Sequence, residues 1–429
     1  MNSKSIVNFV KRTGPLIPEN QATTFAETEY FFENNLRKVK PYFFTHHSFC
    51  KKRWIGQTPL QVLAKEYTIY GKNQIDDMVG MGRFMVNMKP LTMEQMNTYK
   101  IKDGDLFSSK VHRHEPPIAA SKPEVIFEDD KFYVIDKPSS FPIHPVTQYR
   151  HNSLIFILAR EMDANHHVVH RNWIVKFLSF IFREVRFISR LRLDRLTSGL
   201  MILAKTKEQS QILSRQISSR ELNKEYVCLT MGHFPDTLVI DKPLLIVDHA
   251  KGLVQVDARG KEAKTAFERI RYDEKQDVSI VRARPETGRT HQIRVHLQYA
   301  GHPIVNDMLY NHPAFGQERF EPMVQKELDL DEFHKALAIS RGWNEHGFKS
   351  AVKKDEEVKE EETHGEHDPL CPKCNERPAD PVAEDLILYL HCLCYTGPDW
   401  TFKSDMPEWT VPDYTIPAFY DQYRADNQK

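Results

Sequence analysis

A carboxylate set in an apolar, arginine-flanked segment is the feature that most constrains how this chain folds. Residues 189–206 read SRLRLDRLTSGLMILAKT, with Asp194 between Leu193 and Leu196 and a strand-like run at 200–204 after a Thr-Ser-Gly turn. A charge placed in an apolar segment is costly unless it has a partner. Two interpretations follow: Asp194 caps the turn or pairs with a neighbouring arginine, or it is a functional carboxylate.

Length and charge set broad limits. The 429 residues suffice for two or three domains, and 59 basic against 59 acidic residues give no hint of a nucleic-acid partner from net charge. Six cysteines without a signal-peptide pattern indicate a reducing compartment rather than a disulfide framework. The most apolar window, 173–188, is short and interrupted by charges, so no membrane segment is expected.

The N-terminus bears on location. It is basic and has no acidic residue before Glu19, which weakly matches a mitochondrial transit peptide, although a basic tail is favoured. We therefore expect a cytoplasmic protein, with the nucleus or the mitochondrion as alternatives.

The segment around Asp194 resembles a motif of the RluA-type pseudouridine synthases, roughly His-Arg-Leu-Asp-Arg-x-Thr-Ser-Gly-Leu. Residues 191–200 match it except at Leu191, where the family usually has histidine. Two further segments follow in the family's order, NKEYVCL at 223–229 and RPETGRTHQIRVHL at 284–297. On these motifs the chain is identified as a member of this family.

Two further segments carry the resemblance with single substitutions. Residues 136–145, DKPSSFPIHP, are similar to the segment that opens the family's catalytic domain, with Ser140 in place of the usual glycine. Asn306 replaces another glycine after the third motif. Asparagine tolerates a left-handed backbone, so the second change is mild.

The resemblance implies an α+β fold. The catalytic domain would be a mixed, mainly antiparallel β-sheet with flanking helices, accompanied by a small S4-like α/β RNA-binding module. Within 54–111, a helix begins at Thr58 and Pro59, a second helix lies near 75–81, and a Gly-Asp turn lies within 102–106. These elements resemble an S4-type module.

The expected domain organisation is an N-terminal extension, partly disordered (1–53), the S4-like module (54–111), a linker (112–121), the catalytic domain (122–345) with an atypical insertion (163–189), an acidic flexible insertion (346–368) and a C-terminal segment that completes the catalytic domain (369–429). Aromatic and basic residues alternate within 20–53, which suits either base stacking or an arm packed on the next domain. The insertion at 163–189 is either an inserted amphipathic helix or a translated intron.

Histidine and cysteine pairs raise the question of a metal. His112 and His114 have no carboxylate or cysteine partner at ligand spacing, so exposed linker histidines are expected. Further on lie a C-x-x-C and a C-x-C, the low-weight zinc candidates Cys371, Cys374, Cys392 and Cys394. The second pair is shorter than a usual knuckle, and residues 390–391 resemble the strand that closes the family's sheet. We therefore expect no metal, with a zinc-stabilised C-terminal module as an alternative.

The chemistry implied by the resemblance is the isomerisation of uridine to pseudouridine in RNA, which requires no cofactor. Asp194 would be the catalytic carboxylate, either attacking the sugar carbon or abstracting a proton to give a glycal. Arg294 would keep its pKa low. Tyr226 would stack on the detached uracil and take the C5 proton, directly or through water.

RNA would be contacted by a second group of residues implied by the same motifs: Arg192, which enters the gap left by the flipped base, and Arg195, Lys137, Arg289 and His291. The expected partner is an RNA substrate, tRNA before rRNA or mRNA, and the protein is expected to be a monomer. The alternative is a catalytically impaired RNA-binding protein of the same fold.

Overall fold

The computed structural model describes residues 29–66, 72–146, 148–164, 193–248, 252–311, 367–376 and 380–417. The predictions made for the basic N-terminal tail, for Arg192 and for most of the 163–189 and 346–368 insertions lie outside these residues. The chain divides into two compact units. The small unit comprises Met1–Glu29, Val39–Glu115 and Val352–Pro378, and the large unit comprises Tyr30–Lys38, Pro116–Ala351 and Ala379–Lys429.

Strands dominate the described residues. In chain order they are β1 (Tyr30–Glu33), β2 (Leu36–Val39), β3 (Tyr42–Phe49), β4 (Phe84–Val86), β5 (Lys89–Pro90), β6 (Leu106–Arg113), β7 (Ile118–Ala119), β8 (Glu124–Glu128), β9 (Phe132–Lys137), β10 (Ser198–Ala204), β11 (Asn223–Met231), β12 (Thr237–Asp241), β13 (Leu244–Asp248), β14 (Leu253–Val256), β15 (Lys264–Asp273), β16 (Val278–Pro285), β17 (Leu390–Thr396) and β18 (Thr401–Lys403).

The described α-helices are short. They are α1 (Pro59–Glu66), α2 (Lys72–Gly80), α3 (Met93–Thr98), α4 (Leu154–Ala164), α5 (Lys207–Ser218), α6 (Gln292–Tyr299) and α7 (Pro372–Glu376). No helix in the described ranges combines the length and apolar character needed to cross a membrane.

The small unit is a four-stranded antiparallel sheet, ordered β3-β6-β4-β5, with helices α1 to α3. The start of α1 is fixed locally, because Thr58 Oγ1 accepts from the backbone N of Gln61 at 3.3 Å and Thr58 N donates to Gln61 Oε1 at 2.9 Å. This reciprocal capping confirms the predicted helix start. Val62 and Leu63 then point into a core closed by Trp54 and its neighbours.

The expected linker at 112–121 is wrong at its beginning, because β6 continues through Arg113 and pairs along its whole length with β3, from Tyr42↔Arg113 to Phe49↔Leu106. The backbone of this segment is thereby hydrogen-bonded in a sheet. Lys110 lies 4.7 Å above the Phe43 ring and Arg113 lies 5.4 Å above Phe44. These cation–π contacts favour the packed arm over base stacking for this part of the N-terminal segment.

The large unit is built on a nine-stranded sheet, ordered β12-β15-β16-β11-β17-β10-β9-β8, with β18 beside β17. Only β10 and β17 run parallel, and every other neighbouring pair is antiparallel. This topology confirms the predicted α+β, mainly antiparallel fold. The late strand β17 lies at the centre of the sheet, between β11 and β10.

A crowded glycine sets the close approach of β10 to β17. Gly199 has φ of 106°, and a Cβ at this position would lie 2.4 Å from the carbonyl oxygen of Cys392. Only glycine therefore fits at the point where the Asp194 turn enters β10. Ser140 and Asn306, which replace family glycines, retain left-handed backbones with φ of 73° and 59°.

Candidate active site

The large unit contains a cleft of about 380 Å³. It lies among the turn that precedes β10, the edge of β11, the loop that leads into α6, and β17. Its lining residues are Leu193, Asp194, Thr197, Lys224, Tyr226, Pro285, Thr287, Gly288, Arg289, Thr290, His291, Gln292, Ile293, Arg294, Leu390 and Tyr395. The three predicted catalytic residues are therefore brought together from three separate segments.

Asp194 occupies the first position of a tight turn. Its carbonyl oxygen accepts from the backbone N of Thr197 at 3.2 Å, and Thr197 is buried against the sheet. The side chain of Asp194 lines the cleft and keeps 33% of its surface exposed. The carboxylate is therefore accessible to a molecule that enters the cleft.

Arg294 holds this carboxylate from inside the protein. Helix α6 carries Arg294, whose side chain is 8% exposed. Its Nη1 donates to Asp194 Oδ2 at 3.4 Å, while Nε and Nη2 donate to the two carboxylate oxygens of Asp307 at 2.7 and 2.9 Å. The guanidinium thus bridges a fully buried carboxylate and a partly exposed one.

The charges of the site favour an ionised Asp194. Burial raises the pKa of the Asp194 carboxyl, but His291 and Arg294 lower it by more, so the net pKa lies below the ordinary 3.8. Burial lowers the pKa of Arg294, but Asp307 and then Asp194 raise it by more, and the guanidinium stays charged. Arg294 is the permanent cation of the site, because burial lowers the pKa of His291 below the ordinary 6.5.

Asp307 and Tyr310 complete the support of Arg294. Asp307 Oδ1 also accepts from the backbone N of Leu309 and Tyr310, both at 3.1 Å, so its orientation is fixed. The guanidinium lies 4.9 Å from the Tyr310 ring centroid. Sequence reasoning assigned neither residue a role. The available signal was a lone carboxylate in the apolar segment that follows the third motif.

His291 faces the carboxylate. Its Nε2 lies 3.5 Å from Asp194 Oδ2 and its Nδ1 lies 2.8 Å from the Tyr310 hydroxyl. It precedes α6 with a left-handed backbone, φ 54°. His291, predicted to contact RNA, thus lines the cleft beside the predicted catalytic carboxylate.

Tyr226 lies on β11 at a bulge, where the pairing with β17 shifts register between Glu225 and Tyr226. Its hydroxyl lies 3.3 Å from that of Tyr395, a second cleft residue that sequence reasoning missed. Burial and the neighbouring Cys392 raise the pKa of Tyr226 well above 10.0. The phenol is therefore neutral, which suits stacking better than the predicted proton acceptance.

Lys137 is not placed to contact RNA. The side chain is 0% exposed, and its Nζ donates to the carbonyl oxygens of Pro138, Phe141 and Arg195 at 2.9, 3.2 and 3.1 Å. The predicted RNA contact is therefore corrected to a structural one. Lys137 ties the start of the catalytic segment to the Asp194 turn.

The other predicted RNA contacts separate by exposure. Arg289 is exposed at the rim of the cleft, where its Nε donates to the carbonyl of Glu262 at 2.9 Å. Arg195 is half-buried, with its guanidinium 5.6 Å from the Tyr149 ring centroid. Arg289 is the better placed of the two to reach an RNA backbone.

The four cysteines considered as zinc candidates in the sequence belong to two different units of the structure. Cys392 is 0% exposed in the core beneath the cleft and, with Cys394, belongs to the central strand β17 of the large unit. Cys371 and Cys374 belong to the small unit and are grouped there with two histidines. The two cysteine pairs are therefore described separately, one in each unit.

Comparison with known proteins identifies the family to which the sequence is similar. A family model described as RNA pseudouridylate synthase matches residues 131–299, which include four of the five segments that carry the resemblance. The chain is 36% identical over 450 residues to the pseudouridylate synthase RPUSD2 of Mus musculus, covering 94% of this chain and 76% of the relative.

Two yeast proteins are also similar. The mitochondrial tRNA pseudouridine(32) synthase of Saccharomyces cerevisiae is 35% identical, covering 94% of this chain and 83% of the relative. The tRNA pseudouridine(31) synthase of the same organism is 29% identical, covering 91% and 99%. With relatives above 30% identity matched over most of their length, the chain belongs to the RNA pseudouridylate synthase family, whose members are isomerases.

Proposed function

We propose that this protein converts uridine to pseudouridine in tRNA, with Asp194 as the catalytic carboxylate. The observation that carries the proposal is a single contact, in which a partly exposed Asp194 lies 3.4 Å from the buried cation Arg294 in a cleft of about 380 Å³. A volume of this order accommodates a small ligand such as one nucleotide.

The reaction needs an ionised carboxylate beside the ribose. The C1′–N1 bond breaks, a C1′–C5 bond forms, the C5 proton leaves and N1 gains a proton, so the product is an isomer of the substrate. Asp194 either attacks C1′ or removes a ribose proton to give a glycal, and both routes require the charged form. Arg294 supports that form with one hydrogen bond, because its other donors are held by Asp307.

Tyr226 is proposed to hold the detached uracil. Its ring lines the same cleft as Asp194, and its neutral phenol is a weak base at neutral pH. We therefore assign Tyr226 the stacking role and leave acceptance of the C5 proton to another group or to water. Extraction of a base from its stack is the usual way in which enzymes reach a nucleotide in structured RNA.

RNA binding is proposed at the rim of the cleft and in the small unit. Arg289 is exposed at the rim, and Lys224 lines the cleft. In the small unit, the short helices α1 and α2 beside a four-stranded sheet are consistent with the S4-like module suggested by the sequence. The variant Lys65→Glu, which reverses an exposed charge on α1, tests this module. We expect the substitution to weaken tRNA binding and to have little effect on turnover at saturating RNA.

Two relatives named for tRNA positions 31 and 32 support tRNA over other RNA, and the anticodon arm within it. One of them is named as mitochondrial, which together with the basic N-terminus supports a mitochondrial pool beside the expected cytoplasmic one. Fluorescent tagging at the C-terminus, which leaves the basic N-terminus intact, would distinguish the compartments.

The activity is tested by tritium release from tRNA labelled at uracil C5. Wild-type protein should release label, whereas Asp194→Asn should release it at least roughly a thousandfold more slowly, because the variant lacks the reacting group. Asp236→Asn is the matched control, since Asp236 is 88% exposed and pairs with Arg269 on the protein surface. Filter binding of the same tRNA should be unchanged in both variants.

The second candidate, an RNA-binding protein without catalysis, predicts a different pattern. It requires that wild-type protein and the Asp194→Asn variant both bind tRNA and that neither releases label. Release of label from rRNA transcripts but not from tRNA would retain Asp194 as catalytic and overturn tRNA as the substrate.

A further inference from the structure

Four side chains with metal-binding atoms converge in the small unit. His112, His114, Cys371 and Cys374 each offer one ligand atom, and these four atoms all lie within 4.8 Å of one another. Each residue is buried or half-buried, so the cluster is not a chance grouping of surface side chains. The sequence reading had expected exposed linker histidines, which this arrangement contradicts.

Local backbone geometry explains why each pair points to one place. His112 lies on β6 and His114 just beyond it, and residues two apart in extended backbone face the same side. Cys371 and Cys374 flank the first turn of α7, where Cys374 N donates to the Cys371 carbonyl at 3.1 Å. A single turn brings residues three apart onto one face, so both sulfurs point toward the histidines.

The distances fit a tetrahedral ion. His114 Nε2 lies 3.2 Å from Cys374 Sγ, and His112 Nδ1 lies 3.4 Å from the same sulfur. With Zn–N near 2.0–2.1 Å and Zn–S near 2.3 Å, tetrahedral geometry sets ligand atoms roughly 3.3–3.8 Å apart. The two imidazole rings are also nearly perpendicular, at 81°, so their nitrogens approach from different directions.

Residues around the cluster hold its ligands in place. The backbone N of Asp368 lies 3.5 Å from Cys374 Sγ, and Lys373 Nζ donates to the carbonyl of His114 at 3.4 Å. Asp368 is itself anchored by a buried bidentate pair with Arg83, both contacts at 2.7 Å. Supporting contacts of this kind orient ligands at metal sites.

We propose that His112, His114, Cys371 and Cys374 bind one structural zinc ion. Two thiolates and two imidazoles select zinc among the common cellular metals. Four protein ligands fill a tetrahedral shell and leave no position for a reacting water, so the ion serves folding rather than catalysis. It fastens residues 367–376 to the end of β6.

The need for such a fastening follows from the segment itself. Helix α7 has five residues, which is too short to be stable on its own. Among the described contacts, the Arg83–Asp368 pair, the hydrogen bond from Lys373 to the His114 carbonyl and the packing of Leu370 against the small core attach this segment to the rest of the unit. A metal ion would add a stronger attachment and close a loop of more than two hundred residues between His114 and Cys371.

Metal analysis of the full-length protein, produced with zinc and purified under reducing conditions, tests the proposal. Wild-type protein should contain about one zinc ion per chain, and a Cys371→Ser/Cys374→Ser variant should contain roughly tenfold less. Cys394→Ser is the matched control, since that thiol lies on β17 of the large unit and should not affect zinc content. Full zinc content in the double variant would overturn the assignment.

A second measurement uses wild-type protein only, so it does not depend on the folding of a variant. Cysteine alkylation read by mass spectrometry should find Cys371 and Cys374 protected until a chelator is added, while Cys50 and Cys394 react equally with and without it. Wild-type protein free of zinc, chelator-independent alkylation of Cys371 and Cys374, or a disulfide between them would each refute the zinc site.

Discussion

The candidate catalytic cleft and the His/Cys cluster both join residues that are remote in sequence, but they do so with different chemistry. Asp194 and Arg294 are 100 residues apart and His114 and Cys374 are 260 apart. In the cleft, one guanidinium donates hydrogen bonds to two carboxylates, so each carboxylate has a cationic partner from the protein. In the cluster, two thiols and two imidazoles meet, and a metal cation would hold them together. Whether the protein itself supplies the cationic partner thus indicates whether an added ion is expected.

The comparison is tested most strongly by removing the cation of the cleft. Arg294→Gln should lower turnover by roughly a hundredfold to a thousandfold, because the variant no longer favours the ionised form of Asp194. The affinity for tRNA should change by less than about threefold, since the guanidinium is buried. Single-turnover tritium release and filter binding measure the two quantities.

Arg259→Gln is the control, because the Arg259 side chain is 72% exposed and pairs with Asp257, and neither residue lines the cleft. An Arg294 variant with full turnover but weakened binding would contradict the proposed role.

Removing the buried counter-charge should be the next largest effect. Asp307→Asn leaves Arg294 with Asp194 alone and should cost about 3 kcal/mol of unfolding free energy, as expected when one partner of a buried pair is lost. Urea unfolding of the full chain measures this cost. Asp236→Asn, which removes an 88% exposed carboxylate from its pair with Arg269, should cost less than about 1 kcal/mol of unfolding free energy. Equal costs would mean that burial does not distinguish the two pairs.

One glycine in each unit tests how crowding around the backbone affects the stability cost of an added Cβ. Gly199→Ala should destabilise the large unit by about 2 kcal/mol or more, since the added Cβ meets the Cys392 backbone in addition to the left-handed strain. Gly104→Ala, in the small unit, has φ of 85° but open space around it, and should cost about 1 kcal/mol. Thermal unfolding ranks the variants, and a larger loss for Gly104→Ala would oppose the crowding argument.

The smallest expected effect is on the pH dependence of the unfolding free energy. The pKa of Asp194 is lower in the folded chain than its ordinary 3.8, so its ionisation stabilises the fold above that value, and this contribution is lost as the pH falls through the folded pKa. The advantage of wild type over Asp194→Asn in unfolding free energy should therefore shrink between about pH 5 and about pH 3. An advantage that grows with acid would show that the pKa is raised instead.

The cleft was largely predictable because its residues lie in contiguous motifs. Asp194, Tyr226 and Arg294 each occupy a recognisable segment, and the structure places all three in one cleft. Asp307 and Tyr395 were missed because their importance depends on side-chain contacts across the sheet and along the helix. Local sequence shows Asp307 as a lone carboxylate in an apolar segment, but it does not identify the partner of that carboxylate.

The His/Cys cluster was not predictable for a related reason. Each half has too few ligands for a metal, and the halves meet only because β6 extends through Arg113 and the segment at 367–376 packs beside it. The alternative left open by the sequence grouped Cys371 and Cys374 with Cys392 and Cys394. In the structure the second pair belongs to β17 of the large unit, whereas the first pair meets two histidines in the small unit.

Both units are discontinuous in sequence, which determines when each can complete its fold during synthesis. The nascent chain leaves the small unit at Glu115 and re-enters it at Val352, an interval that takes a ribosome roughly ten to fifty seconds. The centre of the large sheet also waits for β17. The small unit therefore remains open until residues 367–376 emerge and the large unit until β17 emerges, so premature termination before residue 367 would leave two incomplete folds for the quality-control machinery instead of one.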